Sequence, residues 1–176
     1  MPISRISCAI ALSTVCQLAA AHVVLDVPKA DAGSSYKATL RITHGCEGSP
    51  TRVVVVEIPP GVEGAKPMAK PGWSIAIERE KLATPRQALH GRTVTEEVRR
   101  IRWTGGPLPG DHFDEFVLMA KLPDKPGVVW WKVSQECEKG RLDWNEIPAA
   151  GQKPSELKSP AARLDTVAPT HAGHSH

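Results

Sequence analysis

Polar and apolar positions alternate along this chain in short runs, and the runs read as strands. In residues 36–43, Ala38, Leu40 and Ile42 alternate with Lys37, Thr39 and Arg41, the period of a strand with one buried face. Residues 52–58 form a β-branched run stopped by Pro59-Pro60-Gly61. Trp73, Ile75 and Ile77 alternate with Ser74, Ala76 and Glu78. Residues 93–103 alternate as well, but the apolar phase slips between Val98 and Ile101, which predicts a β-bulge. Phe116, Leu118, Ala120 and Leu122 share one face of the next strand, and Glu115, Val117 and Met119 share the other. Residues 128–135 run back, and a last short strand covers about residues 140–145. The Gly- and Pro-rich stretches 45–50, 105–110 and 123–127 punctuate these runs. Only residues 81–90 have room for a helical turn, and Pro85 limits it. Seven or eight short strands between Pro/Gly turns predict an all-β fold, an antiparallel β-sandwich.

The two ends depart from this pattern. Arg5, the apolar stretch 6–18 and the small residues Ala19 and Ala21 make residues 1–21 a signal peptide, too short to persist as a membrane span. Val15 is not the small residue that a lipid anchor at Cys16 needs. Export predicts a periplasmic or extracellular protein. Cleavage after Ala21 leaves His22 first, with its α-amine and imidazole on one residue as a ready chelate. Nitrogen donors of this kind favour late first-row divalent metals, with Cu(II) highest. At the other end, residues 149–176 are rich in Ala, Pro, Lys and Ser without apolar period, and predict a disordered tail. That tail closes with His171, His174 and His176, which offer a second, weaker and flexible metal site.

Composition narrows the chemistry. Of four cysteines, Cys8 and Cys16 fall in the leader, and Cys46 and Cys137 remain. In an oxidising compartment this pair reads as a disulfide, the rival being a thiolate copper site. A net charge of +3, dispersed along the chain, with no basic block interleaved with aromatics, argues against a nucleic-acid partner. No glycine-rich phosphate loop and no serine or cysteine nucleophile motif is present.

Several stretches, in order, carry a family resemblance. They are His22-Val23 at the mature start, the turn Gly45-Cys46-Glu47-Gly48-Ser49-Pro50-Thr51, Lys70-Pro71-Gly72-Trp73, and Ile101-Arg102-Trp103-Thr104-Gly105-Gly106. Phe113-Asp114-Glu115-Phe116, Gln135-Glu136-Cys137-Glu138-Lys139-Gly140 and Trp144 complete the set. Together they resemble the YcnI-like exported copper-binding domain over residues 22–148. The resemblance implies an immunoglobulin-like sandwich whose cofactor is Cu(II), held in a single-histidine brace. It places the brace on His22, the assisting carboxylate on Glu115, and a tryptophan near the metal at Trp144. Asp114 and Asp111 are the nearest competitors of Glu115 as ligands, His112 reads as a water-facing loop histidine before it reads as a fourth ligand, and Asp26 follows the first strand where it can orient the His22 ring. Trp73, Trp103, Trp130 and Trp131 read as core or sheet-face residues.

The functional expectation is therefore a non-enzymatic Cu(II)-binding protein that buffers, traffics or delivers copper. Its partners are the ion and exported or membrane copper-trafficking proteins. One alternative is a copper-dependent oxidative enzyme, which would want a second histidine. A carboxylate donor suits Cu(II) and handles Cu(I) poorly, which disfavours redox cycling. The other alternative is an adhesion or interaction sandwich indifferent to metal.

Overall fold

The structure, a computed structural model, describes residues 22–88 and 91–169. Among the described residues, eleven strands form two sheets. β1 (Val24–Leu25), β3 (Ser35–Ile42), β8 (Asp114–Lys121) and β5 (Glu63–Pro67) make a four-stranded antiparallel sheet in the order β1-β3-β8-β5. The second sheet runs β2 (Lys29–Asp31), β11 (Ala162–Val167), β9 (Gly127–Cys137), β4 (Thr51–Glu57), β7 (Thr93–Leu108), β6 (Trp73–Gln87). β10 (Arg141–Trp144) pairs with the far end of β9. Within both sheets the pairing is antiparallel except between β11 and β2.

The alternation read from the sequence is what packs the sheets together. Ala38, Leu40, Ile42, Phe116, Leu118 and Ala120 face inward from the first sheet. Val54, Val56, Ile101, Trp103, Trp131, Val133 and Leu164 meet them from the second. Phe116 sits edge-on to Trp73 at 5.0 Å and to Trp103 at 5.7 Å between ring centroids, a favoured aromatic geometry. Cys46 and Cys137 are bonded, with an S–S distance of 2.07 Å. The predicted bulge is present: Glu78 pairs with Arg100 and Arg79 with Val98, so Arg99 is the extra residue.

Three expectations need correction. Residues 81–87 form no helical turn but continue β6, which pairs with β7 as far as Gln87 opposite Thr93. Pro85 falls in a register shift on this edge strand, where its missing N–H breaks no ladder. Residues 105–108 are not a loop but the end of β7. A Cβ on Gly105 would stand 2.2 Å from the Gly72 carbonyl oxygen, so glycine here allows two backbones to touch. Finally, the folded domain does not stop at residue 148. Residues 154–156 form a 3-10 turn, and β11 then enters the sheet between β9 and β2, burying Ala162, Leu164 and Thr166. The expected disordered tail is thus an ordered strand up to Val167. The pattern escapes a hydropathy reading because its inward positions are small or polar, Ala162 and Thr166 flanking the single Leu164. His171, His174 and His176 lie outside the described residues.

Candidate metal centre

His22 precedes β1, and Val23 beside it is buried in the core. The His22 ring packs edge-on to the Trp144 indole, with ring centroids 5.9 Å apart and planes at 63°. Its Nε2 is buried and has no hydrogen-bond partner among the described residues. Trp144 closes β10 opposite Val133 and is 5 % exposed. A second imidazole, His44, meets the same indole at 5.9 Å and 74°. His44 Nδ1 lies 2.6 Å from the Gly45 carbonyl oxygen.

The indole is anchored from beneath. Trp144 Nε1 donates to Gln135 Oε1 at 3.3 Å, and Gln135 Nε2 donates to the His44 carbonyl at 2.6 Å and to Thr51 Oγ1 at 2.7 Å. Gln135 is fully buried. It continues the inward phase of β9 after Val129, Trp131 and Val133, so a polar residue in an apolar phase was the sequence signal for it. Next to Trp144, the Asp143 carboxyl is held below its ordinary range. Burial pushes it up, but the hydrogen bonds from Ser134 Oγ and Arg141 Nε, with the Arg141 charge, outweigh that push.

Glu115 stands apart from this group. Val24, Arg41 and Glu115 pair in one row across β1, β3 and β8, so Glu115 lies two strand spacings, about 10 Å, from β1. Its carboxylate meets Arg41 Nε at 3.6 Å, and its carbonyl accepts from Lys70 Nζ at 3.0 Å. Lys70 also pairs with Asp114 at 2.7 Å. Glu115 is 41 % exposed at the side chain and opens onto a shallow depression of about 530 Å³ with Arg41, Thr43, Asp111, His112 and Phe113. His112 is exposed and pairs with Asp111 at 3.1 Å. Asp26, expected to orient His22, is instead paired with Arg41.

The structure therefore brings His22 to Trp144 and leaves Glu115 engaged with Arg41. Among the described residues no three His, Cys, Asp or Glu side chains cluster closely enough to hold a metal. Side chains alone offer a partial site, and the remaining donor of the expected set, the α-amine of His22, is a main-chain group. A larger groove, about 780 Å³, lies on the second sheet around Trp130. Its carboxylates Glu57, Glu78 and Glu80 are paired to Arg99 and Arg100, and no His or Cys lines it.

No curated protein matches the chain. A solved structure of an uncharacterized protein from Nocardia farcinica with an immunoglobulin-like fold is similar. The TM-score is 0.63 at 24 % identity, over 82 % of this chain and 97 % of that one. The two-sheet sandwich described above is accordingly immunoglobulin-like. The model of a family described as a domain of unknown function, DUF1775, matches residues 22–166, starting at His22 and ending within β11. The chain belongs to this family, the YcnI family domain.

Proposed function

We propose that the mature, exported chain binds Cu(II) at His22 and serves to buffer, traffic or deliver it. The observation that carries this reading is the seating of the His22 imidazole: half-buried against Trp144, with Nε2 buried and without a partner. Within one histidine, the α-amine and Nδ1 close a six-membered chelate, and Nε2 is the nitrogen that cannot take part. Burying Nε2 in the protein fixes the ring by its far edge and leaves the chelating edge to the metal. Trp144 has no good donor, and its role is to exclude water and offer its π-face to the cation. Glu115, half-exposed and paired to Arg41, is the carboxylate that would add an anionic oxygen on leaving that pair. Two nitrogens and a carboxylate favour Cu(II) over Cu(I), so we read binding rather than oxidative catalysis. The carboxyl-terminal histidines His171, His174 and His176 add weaker sites. The partners are the copper ion and exported or membrane proteins that hand it on, in the periplasm or outside the cell.

The test is an electron paramagnetic resonance spectrum of the chain beginning at His22 with one equivalent of Cu(II). We expect coupling to the amine and one imidazole, with the imidazole coupling lost in H22A. A spectrum without nitrogen coupling, or one unchanged in H22A, overturns the reading.

A further inference from the structure

A buried amide in an apolar core costs free energy unless its hydrogen bonds are made, and a methionine of similar volume would fill the space without that demand. Gln135 has no exposed surface and yet makes three bonds, to the His44 carbonyl, Thr51 Oγ1 and Trp144 Nε1. Its orientation is fixed by its partners. An indole N–H only donates and a carbonyl only accepts, so the oxygen must face Trp144 and the nitrogen must face His44.

The same two chain segments are also joined covalently. Cys46, two residues after His44, is bonded to Cys137, two residues after Gln135, and Cys46 Sγ lies 3.8 Å from the Gln135 carbonyl oxygen. The amide thus stands on a clamped base, and what it holds is a ring that both His22 and His44 touch. We infer that Gln135 is a positioning residue that sets the Trp144 indole against His22 and, through the indole, tunes Cu(II) affinity at the amino terminus. The second step rests on the copper reading above; the first does not.

The experiment uses the chain beginning at His22 with Q135M, W144F and the double variant. In metal-free protein, nuclear magnetic resonance reads the His22 ring protons, which feel the ring current of Trp144. The indole N–H signals of Trp103 and Trp131, both in the core, report that the fold is kept. We expect Q135M to move the His22 ring signals and to lower Cu(II) affinity about tenfold, the scale seen when a residue supporting a metal ligand is removed. In the W144F background the same change should cost nothing further, because the amide then has no indole to hold. Should Q135M fail to fold, T51V removes one anchor of the amide and must move the same proton signals less far. Unmoved His22 signals overturn the inference, and so does an equal affinity loss in both backgrounds. If the wild-type protein does not bind Cu(II) through His22, the copper reading and the tuning fall. The proton signals then still decide whether Gln135 positions the indole.

Discussion

Leu164→Ala tests whether the end of the folded domain is where the structure puts it. Leu164 has no exposed surface, pairs across from Val129, and sits in the core with Ala162 on a strand held between β9 and β2. Removing three buried carbons from such a site costs about 2–5 kcal/mol, the transfer term plus the cavity left behind. At about 3 kcal/mol and 2–4 °C per kcal/mol for a domain of this size, the midpoint should fall by roughly 6–12 °C. Urea unfolding of the disulfide-intact protein measures it, with the m-value expected to hold, since the surface exposed on unfolding hardly changes. Arg163→Ala is the control on the same strand. Arg163 is exposed and its pair with Asp165 is a surface one, so its loss should stay within about 1 kcal/mol. If Leu164→Ala changes stability by less than about 0.5 kcal/mol, β11 is not part of the sheet, and the chain after residue 148 is the loose tail that its composition suggests.

Further outcomes follow from single contacts. Tyr36 is the only tyrosine; burial, with the Asp26 charge second, pushes its hydroxyl up to about 12, and it donates to the Val27 carbonyl at 2.6 Å. Absorbance at 295 nm should therefore show one titration near 12 in the folded protein and near 10 in urea. The folded state holds this proton more tightly. Its contribution, about 2–3 kcal/mol, is complete below pH ~10 and is lost as pH rises toward about 12. A folded midpoint at 10 would contradict the burial of the hydroxyl. Replacing Cys46 and Cys137 by serine opens a loop closed across 91 positions, and stability should drop by up to about 4–5 kcal/mol in denaturant titration. No drop would mean that the link leaves the unfolded chain unconstrained. Glu115→Gln should weaken Cu(II) binding in a competition assay while leaving the melting temperature within a few degrees, because the Arg41 contact it removes is a surface pair. Unchanged affinity would take Glu115 out of the site.

The core strands were legible because large apolar side chains recur on the inward face with a period of two, as Tyr36, Leu40 and Ile42 in β3 and Phe116 and Leu118 in β8. The bulge at Arg99 was legible for the same reason, as a slip in that period. β11 was not, since alanine and threonine carry no hydropathic signal although both are buried beside Leu164. The extension of β6 was hidden by Pro85, and only an edge position tolerates proline there. At the candidate site, the His22 ring lies edge-on to the Trp144 indole. The distance of Glu115 and its pairing with Arg41 depend on strand order, which no local pattern encodes. His44 was passed over because one histidine before a turn looks the same whether its ring faces water or an indole.

The central claim is that one residue supplies two nitrogen donors to Cu(II), and it is tested most directly by the affinity of two chains that differ by one peptide bond. One begins at His22; the other carries a single extra residue before it. The added bond turns the amine into an amide and breaks the chelate, so the longer chain should lose tight binding. The chain beginning at His22 should weaken as pH falls from 8 to 5, because copper must displace a proton from each of its nitrogen donors. Equal affinity in the two chains, flat across that range, would contradict the account.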